Sequence, residues 1–345
     1  MTATEGKENL IYFAVDTGTT NTTVWLMDGS RILSESKHPV GVRQTSIRGN
    51  RNLLEQTLRG AFRALPRRAP SRPQFVLAAG MLTSPLGLLE VPHVPAPAGL
   101  SELAQNVRRT TFPQVSPLPF FLVPGVRIGK GPCDLSNVAH SDIIRGEETE
   151  IMGFHATPKS RAVRKPWILL HAGSHAKAIE VDARGRIIRS ATTLSGEVLQ
   201  AIRTQTILAS QLRDLRPHKL QKRFFETGAA CSRRNGLSRA LFMTRLLEGN
   251  SRYVQRELYS FLVGALMASD FQAFRTLGLL RRDTKTVLTG QPNLQSAWRL
   301  MLGRRYHLKV VKHEGRVQAF LAGLREIVFA SPAFRRFHAK ITQAS

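Results

Sequence analysis

The chain is poor in cysteine, in acidic residues and in long apolar runs. Only Cys133 and Cys231 occur in 345 residues. They stand far apart and at no metal-ligand spacing, which excludes a disulfide scaffold and a thiolate metal centre and points to a reducing compartment. No apolar run approaches the roughly 20 residues that cross a bilayer, so no membrane partner is expected. Residues Met1–Asn9 are polar and lack the apolar core of a signal peptide, so the expected location is the cytoplasm. Acids number 24 against 50 lysines and arginines, a net charge of +26. The excess is spread along the chain in pairs such as Arg67-Arg68, Arg108-Arg109 and Arg335-Arg336, with a denser cluster from Lys159 to Lys165. There is no basic tail, no recognised DNA- or RNA-binding motif and no aromatic-rich basic strand on which bases would stack. Such a field steers anions without naming them. Small anionic substrates fit it, and nucleic acid is a minor reading.

Both common strand-to-helix phosphate fingerprints, G-x-x-x-x-G-K-[ST] and G-x-G-x-x-G, are also missing. In their place an apolar strand from Ile11 ends in Asp16 and enters the turn Thr17-Gly18-Thr19-Thr20-Asn21. A second strand, Thr22–Met27, leaves that turn at once, and Asp28-Gly29 closes a hairpin into Arg31–Ser36. Such a turn offers backbone N–H groups and short hydroxyls to a phosphate, and Asp16 can hold the accompanying metal. An ordinary hairpin with small turn residues fits the spacing equally well.

Beyond it, the pattern predicts a helix near Asn52–Leu65, a strand at Phe75–Ala79, a Pro-rich connection at Val91–Pro97, a strand at Phe120–Val123 and a helix at Glu147–Phe154. Pro158–Pro166 reads as an exposed linker. The opening pattern then recurs: strand Trp167–Leu170, turn His171-Ala172-Gly173-Ser174-His175, strand Ala176–Val181, and Asp182–Gly185 turning into a third strand. Gly18 maps onto Gly173 and Gly29 onto Gly185, in register to within one residue. This is an α/β chain of two similar domains, 1–157 and 158–345. A cleft between them is expected, in which facing loops clamp a nucleotide's phosphates. Helices are predicted at Glu197–Leu212, Leu237–Glu248, Arg252–Leu277, Asn293–Leu302 and Val317–Phe329. A short strand, Thr286–Thr289, leads into Gly290-Gln291, a turn that can receive an adenine ring or simply join strand to helix.

Taken together, several segments resemble the 2-dehydro-3-deoxygalactonokinase family, within the superfamily of sugar kinases, actins and Hsp70-type ATPases. They are Asp16–Asn21, Ala79-Gly80-Met81 with Ser84 and Gly87, Val91–Pro95, Val123–Val126, Asp142–Glu150, Gly173–Lys177, Leu194–Glu197 and Ala319–Leu324. The resemblance implies two actin-like (ribonuclease H-like) ATPase domains with the active site in the cleft. It implies ATP-dependent, Mg²⁺-assisted phosphorylation of the 6-hydroxyl of 2-dehydro-3-deoxygalactonate, in galactonate breakdown. In that reading Asp16 organises Mg²⁺, and Gly18, Thr19, Thr20 and Asn21 cradle the phosphates. Gly173, Ser174, His175 and Lys177 face them from the second domain, with Gly290 on the adenine side. Lys177 reads equally as a solvated strand residue, and His175 has no partner at metal-ligand spacing. Arg145 would pair the substrate carboxylate, with Glu147 and Glu148 beside it. One of Asp142, Glu147 and Glu148 would accept the proton of the attacking hydroxyl, Glu147 first and Asp142 second. On residue type alone, acids in a first helical turn simply complement the macrodipole.

The chain departs from the family pattern at Ala172, where Pro is usual, Ser174 (Thr), Ala178 (Trp) and His93 (Tyr). A non-catalytic relative that senses nucleotide or sugar, its basic surface engaging nucleic acid, is the competing reading. Oligomeric state is left open, a homodimer included.

Overall fold

The computed structural model describes residues 10–156, 165–212, 219–250 and 252–344. Most of the expected linker at Pro158–Pro166 and all of Met1–Asn9 lie outside the described residues. The chain divides into two compact units: Met1–Arg164 with Ala183–Ile188 and Val317–Ser345, and Lys165–Asp182 with Arg189–Arg316.

The first unit opens with the expected hairpin, β1 (Ile11–Thr17), β2 (Thr22–Asp28) and β3 (Arg31–His38). Helices α1 (Val42–Arg48) and α2 (Asn52–Ala64) follow, then β4 (Val76–Gly80) and β5 (Val94–Pro95). Next come α3 (Leu100–Gln105), β6 (Arg108–Phe112), β7 (Ser116–Leu122), β8 (Val126–Ile128), β9 (Asp142–Ile144) and α4 (Glu147–Ala156). The main sheet runs β3-β2-β1-β4-β7-β6, and β5-β8-β9 form a smaller one. β1 and β4 are apolar at nearly every position because the sheet is covered on both faces. On one face Phe13, Val15, Val24 and Leu26 meet Leu54, Leu58 and Phe62 of α2.

The second unit holds β10 (Trp167–Ala172), β11 (Ala176–Val181) and β12 (Ile187–Thr193). These lead into α5 (Ser195–Gln205), α6 (Ala209–Leu212), α7 (Lys222–Asn235), α8 (Leu237–Glu248) and α9 (Gln255–Thr276). β13 (Lys285–Gly290), α10 (Pro292–Leu302) and β14 (Leu308–Val310) complete it. Its sheet order, β12-β11-β10-β13-β14, repeats β3-β2-β1-β4-β7 of the first unit. The strand senses repeat too: β10 pairs antiparallel with β11 and parallel with β13, as β1 does with β2 and β4. The duplicated sequence pattern is thus a duplicated sheet.

Two expectations need amending. The helix expected over Glu197–Leu212 breaks at Thr206, an extended residue whose hydroxyl accepts the Leu208 N–H at 3.2 Å and so restarts the chain as α6. The domain boundary at 157/158 also assigns the C-terminus wrongly. Helices α11 (His313–Ala330) and α12 (Pro332–Ala344) lie, from Val317 onward, with the first unit. The cause is close packing. A Cβ on Gly153 of α4 would overlap the Ala319 carbonyl, and one on Gly323 would overlap that of Thr149, so the two helices meet backbone to backbone. Phe329 and Phe334 then cover the second sheet face, with Phe334 centred 5.1 Å from Phe75 and 5.2 Å from Phe121. Among the described residues no single helix is long and apolar enough to cross a membrane. Only α11 and α12 together have the length and composition, and they are bent by 76°.

Candidate active site

In the first unit the β1–β2 turn is closed by the Gly18 N–H donating to the Asn21 carbonyl at 2.8 Å. The start of α1 is fastened to it: Val42 N–H donates to the Gly18 carbonyl at 3.2 Å and Arg43 N–H to that of Thr19 at 2.9 Å. This approach requires glycine at position 41, where a Cβ would lie 2.5 Å from the Gly18 oxygen. With those carbonyls tied down, the side chains of Thr19 and Thr20 stay half-buried and that of Asn21 exposed. Asp16, at the end of β1, sits against Gly80 at the end of β4. Gly80 has φ +73°, and a Cβ there would stand 2.6 Å from the Thr17 oxygen and 3.0 Å from Asp16 Oδ1. Gly146 (φ +109°) in turn packs on Gly80, its would-be Cβ 3.3 Å from the Gly80 Cα. Gly80 therefore keeps side-chain bulk away from the Asp16 carboxylate, and Gly146 lets the Arg145–Glu148 turn pack on Gly80.

The resemblance implied that Arg145 meets a substrate carboxylate; within the first unit its guanidinium has several protein partners. Nη1 donates to the Thr83 carbonyl and hydroxyl, each at 2.6 Å, and Nη2 to the Val91 carbonyl at 2.9 Å and to the His93 ring at 3.0 Å. Burial, with the charges of Arg145 and Arg127, pushes His93 down to about 4, so the ring is neutral and accepts. Gly125 completes the cradle, since a Cβ there would stand 2.7 Å from His93 Cδ2. Glu148, expected beside the substrate, is fully buried, and its carboxylate oxygens accept the Gly146 N–H at 2.8 and 2.7 Å. Glu147, at the first position of α4, accepts the Arg145 N–H at 3.2 Å. Asp142 stands at the start of β9, half-buried and three residues before Arg145.

Burial, reinforced by the neighbouring Glu147 charge, pushes Glu148 up to about 8 from 4.5. The folded chain therefore holds a proton that the unfolded chain has released over that window. This stabilisation is complete below pH 4.5 and is lost as pH rises through about 8. His93 acts oppositely: its share is present above 6.5 and lost as pH falls through about 4. Glu148→Gln, which keeps an acceptor for Gly146, is expected to flatten the fall in melting temperature from pH 5 to 8, as scanning calorimetry would show.

The second unit repeats the loop's construction. Glu197 N–H donates to the Ser174 carbonyl at 3.0 Å, and a Cβ on Gly196 would lie 2.5 Å from the Gly173 oxygen. Gly196 thus does for α5 what Gly41 does for α1. Each follows its loop glycine by 23 residues (41 − 18 and 196 − 173), a spacing that marks the repeated loop in the sequence itself. Gly290 (φ +105°) corresponds to Gly80: a Cβ there would overlap the Ala172 carbonyl, which accepts the Gln291 N–H at 2.7 Å. That bond restrains the turn where the family's proline is missing. His171 Nδ1 lies 3.2 Å from Thr289 Oγ1, and a Cβ at position 173 would stand 2.8 Å from His171 Nε2. His175 Nε2 lies 3.2 Å from Glu197 Oε1. Lys177 is buried, so the solvated-strand reading fails for it. Behind the loop, Ser195 at the start of α5 donates to Asp270 of α9, whose carboxyl burial raises to about 6.

Among the described residues no three His, Cys, Asp or Glu side chains gather to hold a metal. A divalent cation at Asp16 would thus have at most two protein carboxylates, with water and phosphate oxygens for the rest, which is how magnesium is commonly held. The side-chain-free space that Gly80 keeps beside Asp16 Oδ1 fits that arrangement.

Comparison with known proteins gives a consistent picture. A candidate 2-dehydro-3-deoxygalactonokinase of Rhizobium meliloti (strain 1021) is 29% identical over 202 residues, 57% of this chain. That match spans 58% of the relative's length, less than two thirds of it. The 2-dehydro-3-deoxygalactonokinase of Escherichia coli (strain K12) is 22% identical over 269 residues, 76% of this chain and 80% of that one. The crystal structure of a candidate 2-dehydro-3-deoxygalactonokinase from Sinorhizobium meliloti shares the fold, with a TM-score of 0.69 at 23% identity over 92% of this chain and 98% of that chain. The 2-keto-3-deoxy-galactonokinase family model matches residues 16–327, nearly the whole chain, and the chain belongs to that family.

Proposed function

We propose that the chain is an ATP-dependent kinase that phosphorylates the 6-hydroxyl of 2-dehydro-3-deoxygalactonate. Family membership supplies the substrate class. The observation that supports the reading is the packing of Asp16 on Gly80 and of Gly80 on Gly146, next to the acidic Glu147 and Glu148. In this reading Gly18, Thr19, Thr20 and Asn21 hold ATP phosphates through N–H and hydroxyl groups. Gly173, Ser174, His175 and buried Lys177 bind nucleotide phosphates from the second unit, and Gly290 borders the adenine. Asp16 would hold Mg²⁺, which when bound offsets charge on the phosphates. Glu147 takes the proton of the acceptor hydroxyl as its oxygen bonds to the γ-phosphorus and the bond to the ADP oxygen breaks. Asp142 is the second choice for that proton. Arg145, tied to Thr83, Val91 and His93, holds the turn in place, and Glu148 locks it through Gly146.

The test is coupled ADP release with ATP, Mg²⁺ and a panel of 2-keto-3-deoxy sugar acids. Release that depends on one of these acids is expected, and Glu147→Gln is expected to lower kcat by about 10²–10⁴-fold with little change in KM. Full turnover in Glu147→Gln would move the proton acceptor to Asp142. Stabilisation by ATP without ADP release from any sugar acid would favour the sensing relative.

A further inference from the structure

A groove of about 540 Å³ opens at the other end of the first unit's sheet from Asp16. It lies between α2 and the β6–β7 turn. The parallel pairing of β1, β4 and β7 puts Asp16 and Gly80 at one end of the strands and Ser116 at the opposite one. Ligands of open α/β sheets bind beyond the carboxyl ends of the strands, so this groove is not part of the site above.

Its chemistry is one-sided. Arg59 and Arg63 line it from successive turns of α2, facing Gln114 and Ser116, and among the described residues no acidic side chain lines it. Like charges at this helical spacing repel. The Arg59 Nε is moreover shut off from solvent and, among the described residues, donates to nothing. The residue itself is only half-buried, and the Arg59 and Arg63 side chains are the cations that an acceptor with several oxygens placed in the groove would meet. Two guanidinium forks one turn apart suit the tetrahedral oxygens of a phosphate group better than a point charge would.

We propose that this groove is a second anion site, in which Arg59 and Arg63 grip a phosphate group distinct from the phosphates of ATP. The phosphate belongs either to a small phosphorylated metabolite or to a nucleic-acid backbone. Both present the same oxygens, and the chain's +26 charge attracts either.

The test is a titration of the full chain with inorganic phosphate, followed by the ¹H–¹⁵N signal of the Arg59 Nε–H, assigned by its loss in Arg59→Gln. A saturable shift of that signal is expected, weakened by about tenfold or more in Arg63→Gln, which leaves the reporter in place. A signal that does not move, or that moves equally in Arg63→Gln, overturns the proposal. A short single-stranded oligodeoxynucleotide is titrated in parallel at low and at physiological salt. If it shifts the same signal more tightly than phosphate and with steep salt dependence, the phosphate is that of a nucleic acid. If it leaves the signal still while phosphate shifts it, the ligand is a small metabolite.

Discussion

Asp16→Ala is expected to lower kcat by about 10³-fold, the scale seen when one preorganised electrostatic group is removed from a reacting centre. The reasoning is local. Asp16 is the acid of the first unit's loop, and Gly80 against it leaves its carboxylate room that a side chain there would fill. Phosphoryl transfer depends on positioning and charge neutralisation, so the loss should fall on kcat more than on KM for the sugar acid. Asp16→Asn keeps the shape and should lose nearly as much. Steady-state kinetics, with melting curves as the control for folding, check this. An Asp16→Ala variant with full turnover would remove the phosphate-loop assignment.

Gly323→Val is expected to be strongly destabilising, at about 3 kcal/mol or more. Its side chain would be driven into the Thr149 carbonyl, and Gly153 on the facing helix has no slack, being against Ala319 in the same way. The strain is transmitted to α4, which begins with Glu147 and Glu148, so activity should fall with stability. Gly60 is the contrasting control: it lies in α2 with nothing within 4 Å of its would-be Cβ. Gly60→Ala is expected to stabilise by about 1 kcal/mol, through helix propensity alone. Denaturant unfolding of the two variants measures the difference.

Much of this arrangement is legible in the sequence, for identifiable reasons. β1 and β10 announce themselves as apolar runs ending in small-residue turns, and their repetition foretells the shared sheet order. The scattered motifs also find a common purpose. Thr83 beside Ser84, Val91, His93 and Gly125 all converge on Arg145, while Leu194–Glu197 fastens the second loop. Their convergence was not legible, because each contact joins residues tens of positions apart. Arg145 illustrates the limit: an arginine beside acids suggests a ligand for substrate, and the local sequence says nothing of the distant Thr83 and Val91 carbonyls it also meets. The place of α11 was missed for a similar reason. Gly153 and Gly323 look like ordinary helix glycines until the two helices are seen touching. Helix α7 escaped notice because its inner face is small, with Gly228 packed on the Phe261 carbonyl and few large apolar residues to set a period. Strands β8, β9 and β14, each three residues long, carry too little alternation to register.

The central claim is direct transfer of the γ-phosphoryl group to a sugar-acid hydroxyl. The ³¹P NMR spectrum of the chain incubated with ATP, Mg²⁺ and 2-dehydro-3-deoxygalactonate tests it most directly. A new phosphomonoester signal, split by the methylene protons at C6 and growing as the ADP signals grow, is the predicted result. ADP accompanied only by inorganic phosphate, or no change in the ATP signals, would contradict it.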